Sequence, residues 1–167
     1  MNATTIEKSM SLVNDGDVIV DRSWNVDDGV TIKGPGRLLV DPGQTITLGK
    51  GSRLVDVEII SRKMLEEGVF WGSSLKVKGD NVRIIDCRLM GFLWGVYCQR
   101  SARTHVVRTE IDCVTAVLLA GVLDTSHIDI HAWPFLKHEY GFDHLGDFRD
   151  GYGVALSGPC DWVRVSV

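Results

Sequence analysis

A repeat between residues 54 and 133 constrains the fold more than any other feature of the chain. The segment 54–59 (LVDVEI) matches 84–89 (IIDCRL) at an offset of 30 residues, and 85–89 matches 107–111 at an offset of 22. Residues 130–132 match 107–109 after a further 23 residues. In each copy apolar or small residues alternate with polar ones, which is the period of a strand with one buried face. The repeat therefore predicts a stack of similar coils.

A second set of segments repeats independently of the first. Residues 96–98, 117–119 and 154–156 recur at spacings of 21 and 37 residues, and each begins with valine. Short strands at a fixed coil length, without a helical period, are typical of a solenoid in which each coil buries its apolar face on its neighbours. We therefore predict an all-β chain folded as a parallel β-helix of about six or seven coils.

The repeat also assigns residues to columns that run from coil to coil. One inward column is predicted to contain Val57, Cys87, Thr109 and Ala132, and another to contain Ile59, Leu89 and Ile111. One outward column contains Glu58, Arg88 and Glu110, whose charges alternate, and the next contains Asp56, Asp86, Arg108 and His131. Alternating charge on an exposed sheet face contributes less than about 1 kcal/mol for each pair, so it is more often a device for register than a site.

The composition restricts the partners of the chain. Its 167 residues suffice for a single domain, residues 1–167, with a buried core. The net charge of −4 and the absence of a visible basic stripe argue against nucleic-acid binding. The apolar stretch 116–123 is too short to span a bilayer, so no membrane insertion is expected, and without a signal peptide we expect synthesis in the cytoplasm. The four cysteines form no CxxC pair and are expected to be free thiols.

Three segments depart from the coil pattern. Residues 1–16 are predicted to form a capping helix and turn, because Thr4 and Glu7 have capping-box spacing and Ile6, Met10 and Val13 share a helical face. The segments 61–74 and 134–152 are predicted to be insertions, the first of them a loop or a short helix.

The strand and turn pattern resembles a known superfamily. The segments NDGDVIV at 14–20, GVTIKGPG at 29–36 and DNVRIIDC at 80–87 are similar to the amino-terminal part of right-handed parallel β-helix proteins of the pectate-lyase-like superfamily, most of all to bacteriophage tailspikes. The resemblance implies a right-handed β-helix. It also implies a homotrimer that binds, and often cleaves, a bacterial surface polysaccharide.

The resemblance leads to three hypotheses about function. The first is a structural and receptor-binding protein of a tailspike, located in the virion tail or outside the cell after release. The second is a polysaccharide lyase or glycoside hydrolase on the same fold, and the third is a purely architectural component that joins other virion proteins. A trimer is expected to bury Phe70, Trp71, Phe92 and Trp94 at its axis.

Candidate glycan-binding residues concentrate in and beside the insertion 134–152. Aromatic rings stack on sugar faces, and carboxylates and arginine form hydrogen bonds with hydroxyl groups. The predicted set is Trp133, Tyr140, Phe142, Asp143, His144, Asp147, Arg149 and Tyr152. The alternative is that these rings only pack the insertion against the β-helix or a neighbouring subunit. The acids and histidines of this segment match no metal-binding spacing, so no metal site and no cofactor are predicted.

Candidate catalytic residues lie on the outward columns. Glycoside hydrolysis needs two carboxylates about 5–10 Å apart, and neighbouring coils place Asp56 and Asp86 about one strand spacing apart, with Glu110 on the next coil. Lyase chemistry instead needs a base beside an arginine that holds a carboxylate of the substrate. Arg108 and His131 are the candidates for that pair.

Overall fold

The computed structural model shows a parallel β-solenoid of about six turns. It describes residues 3–12, 16–124, 126–145 and 151–167. The elements are β1 (Thr4–Ile6), β2 (Met10–Ser11), β3 (Asp17–Val20), β4 (Trp24–Val26), β5 (Thr31–Val40), β6 (Ile46–Leu48), β7 (Arg53–Ser61), α1 (Arg62–Glu67), β8 (Ser73–Val77), β9 (Arg83–Ile85), β10 (Arg88–Met90), β11 (Trp94–Gln99), β12 (His105–Asp112), β13 (Thr115–Ala120), β14 (Ser126–Ala132), α2 (Phe135–Tyr140), β15 (Val154–Ser157) and β16 (Val163–Ser166).

Two parallel sheets form the walls of the solenoid. The first has the strand order β1-β4-β6-β8-β11-β13-β15, and the second has the order β16-β14-β12-β10-β7-β5-β2, with β3 and β9 paired alongside. Successive strands of one sheet are separated in the chain by a strand of the other, so each turn crosses both walls. Parallel strands that enclose a core on their inner face account for the alternation of buried and exposed residues in the sequence.

The predicted inward columns form the core. Val96, Val117 and Val154 are register partners, as the repeat predicts. Arg88 pairs with both Glu58 and Glu110, which aligns Val57, Cys87 and Thr109 on neighbouring coils, each at most 2 % exposed. Cys87, Cys98 and Cys113 are buried free thiols, and burial raises the pKa of Cys87 to about 12.

The predicted position of β14 relative to β12 is wrong by one residue up to Val107 and by two residues from Thr109 onward. Thr109 pairs with Ile130 and not with Ala132, and Glu110 pairs with His131. The second residue of this error comes from a register shift between Val107 and Thr109, where the extra residue Arg108 has a φ of +49° and no counterpart in β14. His131 therefore continues the column of Glu110, and the column of Asp56, Asp86 and Arg108 ends at Arg108.

The predicted N-terminal helix is also wrong. Thr4–Ile6 and Met10–Ser11 are strands, paired with β4 and β5. Threonine and isoleucine favour a strand when a partner strand is present, and the tertiary pairing outweighs a local capping signal. Residues 1–2 and 13–15 of the predicted 1–16 unit lie outside the described residues.

Each predicted insertion contains a six-residue helix. Ser61 caps α1 by accepting a hydrogen bond from the Met64 amide, and Gly68 ends the helix with a φ of +68°. Pro134 is the N-cap residue of α2, and its side chain forms no capping hydrogen bond. Instead the buried carboxylate of Asp112 accepts a hydrogen bond from the Leu136 amide at 2.8 Å. Asp112 thus satisfies an amide that the start of a helix leaves unpaired.

The two helices form a second apolar cluster on the outer face of the second sheet. Phe135 and Leu136 of α2 pack with Met64 of α1 and with Ile60 and Met90 of the sheet.

The expectation that Phe92 lies at a trimer axis is wrong, since this side chain is buried in the solenoid core at 2 % exposure. Within the described ranges no helix is long and apolar enough to cross a membrane.

Candidate functional site

A charged column crosses five coils on the outer face of the second sheet, and we call it the ion-pair ladder. Asp17 pairs in register with Arg37, Arg37 with Glu58, and Arg88 with Glu58 and Glu110. The sequence predicts the members Glu58, Arg88 and Glu110 but misses Asp17 and Arg37. The charges alternate from one coil to the next, so each arginine lies between two carboxylates.

Short hydrogen bonds hold the ladder at its two ends. Arg37 donates to both carboxylate oxygens of Asp17, at 2.6 and 2.9 Å, and its guanidinium lies 3.7 Å from Glu58. Arg88 donates to Glu110 at 2.6 Å and to Glu139 of α2 at 2.7 Å. The planar guanidinium suits such two-sided contacts, which fix its orientation as well as its position.

Helix α2 lies against one side of the ladder. The Tyr140 hydroxyl donates to Glu58 at 3.0 Å, and the Arg88 guanidinium lies 4.8 Å from the centre of the Phe135 ring. Phe135 is itself buried in the second apolar cluster, so the cation–π contact holds Arg88 of the ladder against a well-packed part of the protein. Helix α2 therefore contributes to this site through side chains that orient the ladder.

A sharp corner of the coil lies on the other side of the ladder. Asp56, Asp86 and Arg108 occupy it on successive coils, with φ angles of +56°, +53° and +49°. Such angles are uncommon for residues other than glycine, and aspartate tolerates them better than most. Arg108 donates to both carboxylate oxygens of Asp86 at 2.6 and 2.8 Å. The corner thus presents a second ion pair beside the ladder.

The ladder and the corner enclose an open groove of about 910 Å³. Its lining consists of the side chains of the ion-pair ladder and of the corner, of residues from the first coils, and of the buried Cys87 thiol. The lining residues are Gly16, Asp17, Pro35, Gly36, Arg37, Asp56, Val57, Glu58, Asp86, Cys87, Arg88, Arg108 and Glu110. The groove is therefore lined mainly by charged side chains whose geometry is fixed before any ligand binds.

The ion pairs change the acid–base properties of the groove. Hydrogen bonds from Arg108 and Arg37 lower the pKa of Asp86 and of Asp17 below the ordinary value of 3.8. Burial is the largest cause that raises the pKa of Tyr140, and the neighbouring Glu58 charge adds to it. Asp86 and Asp17 therefore remain ionised at neutral pH, which suits binding and not proton donation.

The groove brings together four of the five candidate catalytic residues: Asp56, Asp86, Arg108 and Glu110. His131 is in register with Glu110 but does not line the groove. Its exposed ring lies 6.0 Å from that of Trp133 and 5.8 Å from that of Phe135. His131 and Arg108 are not on one column, so the predicted base and arginine pair is not formed along the strands.

The candidate glycan-binding residues divide among several places. Trp133 and Tyr152 line a separate cavity of about 190 Å³. Tyr140 and Phe142 pack against the second apolar cluster, as the packing alternative predicts for them. Asp143 is exposed, and the His144 ring is 3.2 Å from the Gly68 carbonyl oxygen. Asp147 and Arg149 lie outside the described residues.

Arg37, Asp17 and Glu139 are members of the site that sequence reasoning misses. Asp17 and Arg37 precede the clear repeat, and Glu139 reaches Arg88 from an insertion that the coil spacing does not place. No group of three or more His, Cys, Asp or Glu side chains in the described part of the chain is arranged to hold a metal ion. The contacts that organise the site are thus ion pairs and hydrogen bonds.

Comparison with known proteins adds no functional information. No protein-family model, no curated protein sequence and no solved structure matches the chain.

Proposed function

We propose that the chain is a structural and receptor-binding module that recognises a bacterial surface polysaccharide, as phage tailspikes do. The observation that carries the proposal is the groove of about 910 Å³, in which fixed arginine and carboxylate side chains follow one another along the solenoid. A binding partner with many hydroxyl groups at regular intervals finds donors and acceptors at each coil.

Preorganisation supports this role for the groove. Arg88 is held by Glu110, by Glu139 and by the Phe135 ring, so little side-chain freedom remains to be lost when a ligand binds. The groove is open along its length, as a long polymer requires. Trp133, which is 49 % exposed, and Tyr152, which is 69 % exposed, supply rings for stacking at a neighbouring cavity.

Polysaccharide cleavage is the weaker alternative. A glycoside hydrolase needs one carboxyl group that stays protonated until it donates. Asp86 is held in its charged form by Arg108, and Glu110 is engaged by Arg88. Binding without cleavage is therefore the function that the geometry supports best, and we propose a homotrimer in a virion tail as its setting.

A binding and product assay tests the proposal. Immobilised protein is exposed to a panel of capsular and O-antigen polysaccharides, and the same mixtures are assayed for new reducing ends and unsaturated products. We expect one or more polysaccharides to bind, no products to form, and Arg88→Ala to weaken binding about tenfold or more. Arg22→Ala, at an exposed arginine outside the groove, is the matched control. Product formation, or equal binding by both variants, would reject the proposal.

A further inference from the structure

A second charged column lies on the same sheet, and we call it the basic column. Arg53 pairs in register with Arg83, and Arg83 with His105. His105 pairs with His127, and His127 with Arg164. At a strand spacing of about 4.8 Å, the five residues extend about 19 Å along the solenoid. The pairing of the strands thus brings together basic residues that are far apart in sequence.

The basic column differs from the ion-pair ladder because its charges are not neutralised. No ion pair joins any of its five residues to an acid in the described ranges. The adjacent outward column consists of Lys33, Val55, Ile85, Val107, Asp129 and Ser166, so Asp129 is its one acid. Like charges opposite one another on paired strands are unfavourable. The sheet thus pairs the charges of one column and leaves those of the other exposed.

The side chains of the basic column are available to a ligand. Arg53, Arg83 and Arg164 are exposed, while His105 and His127 are half-buried between them. Burial lowers the pKa of His105, and the charges of Arg83 and His127 lower it further, as expected for cationic neighbours in close contact. The three arginines are permanently charged, and the two imidazoles add hydrogen-bond donors.

We propose that the basic column binds a linear acidic polysaccharide aligned with the solenoid axis. The ligand supplies the negative charges that the basic column itself lacks, at intervals set by the coils. This inference rests on the proposed polysaccharide recognition and adds that the polymer carries carboxylate or sulfate groups.

Nucleic acid fits the same column less well. Three residues beside the middle of the column, Val55, Ile85 and Val107, are aliphatic and provide no aromatic platform on which unpaired bases stack. The net charge of −4 and the acids of the nearby ladder also oppose a broad polyanion such as a duplex. An acidic glycan presents isolated charges on a single chain, which matches one column of cations.

Dextran and dextran sulfate test the inference because they share a backbone and differ in charge, and hyaluronate adds a carboxylate polymer. We expect the protein to bind dextran sulfate and hyaluronate more tightly than dextran or oligodeoxythymidylate, and less tightly as salt increases. Arg83→Glu is expected to lower the affinity for the acidic polymers about tenfold or more. Arg22→Glu is the matched charge control, and circular dichroism verifies that each variant is folded.

The outcomes separate this inference from the proposed function. If acidic polymers bind equally to wild type and to Arg83→Glu, the basic column is not their site and the inference fails. It also fails if oligodeoxythymidylate binds more tightly than the acidic glycans. If neutral polysaccharides bind in an Arg88-dependent manner and acidic ones do not, only the inference fails. If no polysaccharide binds, the proposed function fails with it.

Discussion

Arg108 donates two hydrogen bonds to Asp86 on the preceding coil, and both residues have left-handed backbone angles. This pair marks the place where the regular coil changes, because β14 lacks the extra residue that Arg108 provides in β12. The contact also lowers the pKa of Asp86. Backbone geometry, register and charge are therefore linked at one corner of the solenoid.

Acidification tests whether the ion pair between Arg108 and Asp86 stabilises the folded protein. Because the pKa of Asp86 is lower in the folded protein than its ordinary value of 3.8, the ion pair stabilises the fold at neutral pH. Its contribution is lost as the pH falls below that value through the folded-state pKa. We expect Asp86→Asn to be less stable than wild type at pH 7 and to approach it in strong acid, as measured by urea unfolding. Asp21→Asn is the control, and an undiminished difference at low pH would contradict the assignment.

The two faces of β12 respond differently to substitution. Thr109 is fully buried, so Thr109→Asp places a carboxylate in the core and is expected to destabilise by about 3 kcal/mol or more. Glu110→Ala removes a partly exposed charge and is expected to cost less than about 1 kcal/mol. Thermal and urea unfolding measure both values. Equal losses for the two variants would mean that the inward and outward faces are wrongly assigned.

Asp112 is expected to anchor α2 to the solenoid. Asp112→Ala removes the acceptor of the Leu136 amide and should destabilise by about 1–2 kcal/mol. It should also make residues 134–145 more accessible to proteases. Asp143→Ala, at an exposed acid of the same insertion, should change stability by less than about 0.5 kcal/mol. Unchanged proteolysis in Asp112→Ala would show that the second apolar cluster holds the helix without this bond.

The proposed trimer depends on exposed tryptophans. Trp71 and Trp94 are 48 % and 41 % exposed, which is unusual for large apolar rings that have no partner surface. We expect light scattering at micromolar concentration to give the mass of a trimer, and Trp71→Ser with Trp94→Ser to give a smaller species. Trp162→Ser, at a ring that is 83 % exposed elsewhere, is the control. A monomeric wild type that both substitutions leave unchanged would reject the trimer.

Much of the fold follows from the sequence because a solenoid repeats its own pattern. Val96, Val117 and Val154 lie in one column at spacings that the chain reveals directly. The N-terminal strands are not predictable in this way, because β1 depends on pairing with β4 and its local signal favours a helix. The position of His131 is missed for a different reason, since the repeat offset of 23 is one residue too long and the bulge at Arg108 shifts the register by one more.

The candidate site is only partly visible in the sequence. The alternating charges of Glu58, Arg88 and Glu110 follow from the repeat, but the contact of Arg88 with Glu139 depends on how an insertion folds back. The repeat offsets of 30 and 22 residues also align Arg53, Arg83 and His105, but Arg164 joins the basic column only through the pairing of β14 with β16 across an insertion. Strand pairing in the structure therefore extends the column beyond what the repeat reveals.

Disulfide trapping tests the pairing of β12 with β14, which the basic column crosses from His105 to His127. Glu110→Cys with His131→Cys places two thiols on neighbouring strands at about 4.8 Å between Cα atoms, within the range that a disulfide spans. Arg108→Cys with His131→Cys is the matched pair that the repeat alone would favour. After mild oxidation, peptide mapping is expected to show the 110–131 bridge in high yield and little of the 108–131 bridge. A dominant 108–131 bridge would contradict the register.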